Sequence, residues 1–353
     1  MTAIHYGLLL MLISGVMTGS FSLPMKKTTR WSWEATWLIW SICALLIIPW
    51  IIAFATVPDV LQVFSKAETT DMLLVFTFGL CWGLGAVLFG QSIAMIGISL
   101  SFALCIGLVA ALGQLIPMFK TPEVFLKPEG ILSTIGITVM VVGVAVCAIA
   151  GHFKEQQLQS VVGGESATEA PASKPSGSMM LGLVLATLGG IFSAMLNFAF
   201  NFSGSITDAS LSLGARETSA SDPVWAITLL GGLTTNVVYC SFLLFRNNTW
   251  GDYKKTQTGS YWFLASLMAA IWMPAIALYG RGAVLMGDLG GSAGWGLYMG
   301  VVILISNVWG FVTGEWRGIH GRPIRLIIIG VVLLLIAICI IGYATTLSEN
   351  SVA

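Results

Sequence analysis

Ten runs of mostly apolar residues, nearly free of charge, follow one another along this chain and leave few folds open to it. They fall at 4–24, 36–57, 71–96, 99–119, 130–151, 179–202, 223–245, 260–280, 292–313 and 324–346. A helix needs about 20 such residues to cross the hydrocarbon core of a bilayer, where its backbone groups can pair only with one another. Apolar residues reach 56% and charged residues fall to 9%, against roughly 45–50% and about 25% in soluble domains. So few charges cannot cover a water-facing surface, so the expected solvent is lipid and the expected fold is an all-α membrane protein with ten transmembrane helices.

The first run starts at Ile4 with no preceding Lys or Arg. A secretory signal has a basic start and a small-residue cleavage site, so this run is expected to stay as the first helix. Residues 153–178 differ in composition, with Pro171, Pro175, several Ser and Gly, and mixed charges. They are expected to form a flexible cytoplasmic linker between a first five-helix unit (1–152) and a second (179–353). Loops on one side carry 11 basic residues, among them Lys26, Lys27, Arg30, Lys254 and Arg317, and the other side carries five. The positive-inside rule makes the richer side cytoplasmic and puts both termini outside.

The two units resemble each other. Gly7, Leu8, Leu10 and Gly15 align with Gly182, Leu183, Leu185 and Gly190, and Trp82 and Gly90 align with Trp272 and Gly280. Five spans is an odd number, so the second copy would be inserted upside down. Two inverted five-helix repeats, with substrate held near the midplane between them, are a common construction of secondary transporters.

Several chemistries are excluded. Sixteen basic and sixteen acidic residues balance, which argues against a nucleic-acid partner. No GxxxxGK[ST] loop marks an ATP motor. The six cysteines lie in apolar runs without a CxxC pair, and the three histidines are scattered, so neither a disulfide nor a metal site is expected. No cofactor is implied, and no His or acidic cluster suggests an enzyme.

Polar side chains inside the spans are more informative, since an unpartnered one is costly. Gln114, Asn197, Asn236 and Asn307 lie near mid-span, with Gln91 and Asn201 closer to the ends. Amides donate and accept together, which suits a neutral sugar; hydrogen bonds between helices are their other common use. Of thirteen tryptophans, several sit at span ends as interfacial anchors, but Trp82 and Trp272 fall near the centres of the third and eighth spans. An indole face packs against the C–H face of a sugar ring, so these two are candidate substrate contacts, with plain core packing as the other reading of their position. Glu34 and Glu315 stand at the ends of the second and ninth spans. Either could carry a coupling proton, and a salt bridge at a helix end is their simpler role. Arg281 and Asp288, in the turn after the eighth span, are candidates for an outer gate.

The chain resembles the L-rhamnose–proton symporter family of the drug/metabolite transporter superfamily. The resemblance runs through Pro24-x-Lys26-Lys27, Trp31-Ser32-Trp33-Glu34-x-x-Trp37, Phe78-Gly79-x-x-Trp82-Gly83-x-Gly85, Gly190-Ile191-Phe192-Ser193-Ala194, Phe198-Ala199-x-Asn201, Glu315-Trp316 and Gly321-Arg322-Pro323. It implies uptake of a deoxy sugar, foremost L-rhamnose, driven by a proton gradient across a bacterial cytoplasmic (inner) membrane. The partners implied are the sugar, the proton and the lipid bilayer, with homo-oligomerisation left open. Two rival readings are an exporter of drugs or metabolites, which the fifteen methionines would suit, and a non-transporting membrane sensor or assembly protein.

Overall fold

The computed structural model describes residues 3–96, 98–119, 122–162 and 179–352. Its described residues are helical, without strands. The long helices are α1 (Ala3–Ser20), α2 (Trp33–Thr56), α3 (Thr69–Ile96), α4 (Ile98–Met118), α5 (Pro128–Val162), α6 (Met179–Ser193, running on as Met195–Asn201), α7 (Asp222–Arg246), α8 (Gly259–Leu285), α9 (Ala293–Val312) and α10 (Arg322–Val352). Among the described residues nine helices are long and apolar enough to cross a membrane, and α4 contributes the shorter apolar stretch Leu104–Met118. Phe54, Phe242, Phe263 and Val312 stand exposed on the outer surface, as a lipid-facing surface permits.

The sequence explains the local departures from regular helix. Pro49 has no N–H, and its ring would crowd the carbonyl four residues back. Directly before it, Cys43–Ile47 widens into a π turn that absorbs the conflict inside α2. α6 breaks at Ala194, and the short helix beyond the break carries Asn197 and Asn201. Gly314, at φ +82°, lies just past α9, in a conformation that costs glycine nothing.

Two expectations of extent change. α5 continues to Val162, so residues 153–162 are helix rather than linker. They are mostly straight-chain Lys, Glu, Gln and Leu, which favour helix. The rest of the expected linker, 163–178, lies outside the described residues. α8 continues to Leu285, which puts Arg281 inside a helix and not in the turn after it.

Small residues set how the helices meet. In α1, a Cβ on Gly15 would come within 2.6 Å of Val301, and one on Gly7 within 2.9 Å of the Gly282 carbonyl oxygen. Gly190 of α6 lies against Leu108 of α4, and Gly182 against the end of α3. Gly79 of α3 touches the Thr228 backbone of α7. α1 therefore packs on α8 and α9, α6 on α3 and α4, α7 on α2 and α3, and α8 on α2. α5 and α10 pack along each other, each held also by the helix before it. The core between them is rich in aromatic and sulfur-bearing side chains, with Trp40, Trp225 and Tyr279 among the largest that are fully buried.

Candidate functional site

An aromatic cluster occupies the centre. Trp82 of α3 and Trp272 of α8 stack on one another, with centroids 5.8 Å apart and planes 20° from parallel. Trp40 of α2 meets Trp272 edge-on at 5.4 Å and packs on Trp37 at 4.3 Å, while Phe21 touches Trp37, Trp40 and Trp272. Asn236 of α7 accepts the Trp37 indole N–H at 2.9 Å and donates to the Gly232 carbonyl at 2.8 Å. Gly232 is what admits Trp82, since a Cβ there would lie 2.7 Å from its ring. The Trp40 indole N–H is buried without an acceptor. Apolar ring faces beside an unpaired donor and an amide suit a sugar ring with hydroxyls along its edge.

Asn197 and Asn201 belong to a different network. The Asn197 amide donates to the carbonyls of Gly113 (2.6 Å) and Gly291 (2.8 Å), and its oxygen accepts from the Tyr279 hydroxyl. Asn201 donates to the Asn197 carbonyl at 2.8 Å and to that of Gly291. These amides tie α4, α6, α8 and the turn before α9 together. Gln114, fully buried nearby in α4, donates weakly to the Ser133 carbonyl at 3.4 Å, and its own oxygen has no partner.

A cavity of about 460 Å³ opens between α5, α9 and the segment after α9, on the face that carries Lys26. It is within the range of small-ligand pockets. Ser306, Asn307, Lys154, Glu155, Glu315 and Trp316 line it. Glu315 pairs with Lys26 at 2.6 Å and approaches Lys154 at 3.8 Å. The hydrogen bond from Lys26 holds its carboxyl below the usual glutamate range, and the charge of Lys154 adds to the effect. Lys154 also lies over the Trp316 ring, 4.8 Å from its centroid.

Glu34 is not brought to Glu315. It is buried at the start of α2, where one oxygen accepts from Asn247 (3.0 Å) and Thr249 (2.7 Å). Beside it, Asp252 accepts the Ser32 N–H at 2.6 Å and pairs with Lys255 at 2.7 Å. Burial alone would raise the Asp252 carboxyl, and the donors from Lys255 and Ser32 outweigh it, so the group ends below its usual range. Gln91 is exposed near the end of α3 and joins none of these clusters. The expected substrate residues thus separate: Trp82, Trp272 and Asn236 together, Asn197 and Asn201 together with Gln114 nearby, and Asn307 with Glu315.

On the opposite face Arg281 pairs with Asp222, and the Asp288 side chain lies outside those described. Asp222 falls one residue before the apolar run 223–245, so hydropathy leaves it out, and the Asp-Pro start of a helix is the signal that marks it. Trp40 also went unmarked, although Trp33, Trp37 and Trp40 repeat at helical spacing on one face.

The family model for the L-rhamnose-proton symport protein (RhaT) matches residues 1–346. The chain belongs to that family. An L-rhamnose-proton symporter of Klebsiella pneumoniae subsp. pneumoniae is 29% identical over 348 residues, spanning 96% of this chain and 98% of its own length. Those of Citrobacter koseri and Yersinia pestis are 28% and 27% identical over the same shares. With this RhaT membership and its membrane-length helices, the chain is a multi-span inner-membrane transporter and not an enzyme.

Proposed function

We propose that this chain imports L-rhamnose together with a proton, as a ten-helix carrier in which 1–152 and 179–353 are inverted repeats and α4 is the tenth span. Membership of the symporter family supports the activity. The packing pattern supports the repeat. Advancing every helix by five turns α1–α8 into α6–α3, α1–α9 into α6–α4 and α4–α5 into α9–α10, and all of these pairs pack. The aligned glycines follow the same rule: Gly7 and Gly182 face α8 and α3, while Gly15 and Gly190 face α9 and α4.

The observation that carries the site is the stacking of Trp82 on Trp272, two residues that match between the halves. A substrate between repeats would meet both rings, and the methyl group and C–H face of a 6-deoxy sugar suit them. Asn236 and the free Trp40 donor would take its hydroxyls. Parting of the two rings admits the sugar, and rocking of one bundle against the other exposes it to the cavity lined by Asn307 and Glu315. In this reading the basic face is cytoplasmic, both termini lie outside, and Glu315 and Glu34 are the inner carboxylates that assist proton release. Proton occupancy must shift the balance between the two states, since equal binding to both would shift nothing.

Uptake of radiolabelled L-rhamnose into proteoliposomes tests this. An inward proton gradient should drive accumulation that a protonophore abolishes. No uptake by folded protein would discard the sugar. Accumulation by the Glu34→Gln, Glu315→Gln double variant at the parental level would remove both glutamates from the proton path.

A further inference from the structure

On the face opposite Lys26 and Glu315, three elements converge on one buried carboxylate. Asp222 opens α7, Arg281 lies near the end of α8, and Thr56 ends α2. One oxygen of Asp222, Oδ2, takes both donors: Arg281 Nη2 at 3.0 Å and Thr56 Oγ1 at 2.7 Å. The other, Oδ1, is buried without a donor, and the Asp222 side chain is 1% exposed. Arg281 Nε is likewise buried without an acceptor.

This is a pair held by one prong. Arginine and carboxylate bind most firmly as two parallel hydrogen bonds, and here the second bond is missing at both partners. The groups around Asp222 do not supply a substitute charge. The turn before α7 contributes Ser219, which bonds to the Thr56 and Arg216 carbonyls. Arg216 and Glu217 of that turn are exposed. Asp71 of α3 is turned to the Ser205 N–H. Among the described residues, Arg281 is the charge set against Asp222.

A carboxylate inside a membrane protein needs a partner at every stage of a cycle, because the bare charge is expensive there. If α7 and α8 part to open this face, Asp222 loses Arg281. A proton can then take the guanidinium's place, and Oδ1 is an oxygen free to receive it. We propose that Asp222 is a proton-coupling residue of the transport cycle, neutralised by Arg281 while this face is closed and by a proton while it is open. The proposal rests on the sugar–proton symport reading above. On opening, hydronium gives its proton to the carboxylate and leaves water, and the resulting acid is uncharged. When the pair re-forms, Arg281 takes back the carboxylate and a water molecule that entered with the sugar takes the displaced proton as hydronium, which leaves with the sugar when the basic face opens. Arg281 stays charged throughout, so one proton crosses per exchange of partner.

Proteoliposomes separate this role from a structural one through three readouts: exchange of labelled for unlabelled L-rhamnose without a gradient, gradient-driven accumulation, and sugar-induced alkalinisation of the outer medium. Asp222→Asn keeps the hydrogen-bonding shape but cannot exchange a proton. It should retain exchange at a tenth of the parental rate or better, while accumulation and alkalinisation vanish. Asp222→Glu, which still titrates, should restore part of both. An Asn variant that accumulates and alkalinises like the parent overturns the proposal. So does loss of exchange in both variants when each still melts as a folded protein, since that marks a structural residue. Parent protein that exchanges no L-rhamnose overturns the sugar assignment and this proposal with it, and that result is distinct from an exchanging parent with an unimpaired Asn variant.

Discussion

Asn197 has committed its amide to the protein itself. Its amide bonds two carbonyls and its oxygen holds the Tyr279 hydroxyl. Asn197→Leu leaves buried groups unpaired at about 1–3 kcal/mol each, so the melting temperature in detergent should fall clearly; an unchanged value would show the network to be dispensable. Trp272 stands in contrast, because its contacts are rings and not hydrogen bonds. Aromatic packing contributes about 0.5–1.5 kcal/mol beyond area, and Trp272→Ala should cut uptake efficiency several-fold, to be read in kcat/KM for L-rhamnose. Glu315 and Lys26 are each 48% exposed, so their bridge contributes only the ~0.2–1 kcal/mol of a solvent-screened pair. Because the folded carboxyl lies below its usual value, that increment is complete above a pH of about 4.3 and fades as acid protonates Glu315. Melting curves of parent and Glu315→Gln should converge on acidification and in high salt. The sequence marked all these residues by type, since an amide, an indole or a carboxylate stands out in an apolar run. It did not mark their partners, because Asn197 and Gly113, or Trp82 and Trp272, meet only once the helices pack.

Helix contacts were half legible. Gly79 and Gly83 stand four residues apart, a small-residue spacing that favours close helix approach, but that their neighbour is α7 follows from the packed bundle alone. A Cβ on Gly79 would collide with the Thr228 carbonyl, and Gly90 has nothing within 4 Å of its Cβ position. Gly79→Ala should therefore cost about 1–3 kcal/mol through forced separation of α3 and α7, while Gly90→Ala stays neutral. Thermal melts of the two variants test this, and equal melting temperatures would contradict it. The end of α5 misled for a physical reason. Where apolar residues give way to His152-Phe153-Lys154-Glu155, the bilayer need ends, but helix propensity does not. That polar extension carries Lys154 and Glu155 into the cavity, so residues expected in a linker line the opening beside Glu315.

At the scale of the whole molecule, direction is the property that packing leaves free. A bundle of apolar helices would pack equally well in either orientation, and only the distribution of charge chooses. By the sequence, the loops expected on the Lys26 side carry eleven basic residues and those expected opposite carry five, and juxtamembrane Lys and Arg are retained on the cytoplasmic side. Glu123 and Lys254 are exposed on opposite faces. In intact cells a membrane-impermeant maleimide should label Glu123→Cys, and Lys254→Cys should react only after permeabilisation. The reverse pattern would invert the orientation and leave the bundle untouched. It would also reach into the mechanism, because the Asp222–Arg281 pair lies on the Glu123 face. Under a proton-motive force the outer water is the more acidic, so a carboxylate that exchanges arginine for a proton is loaded most readily if that face is outside. Inverted, the same pair would exchange its proton with the alkaline side and fill less readily, although one proton coupled to one sugar would still draw sugar inward.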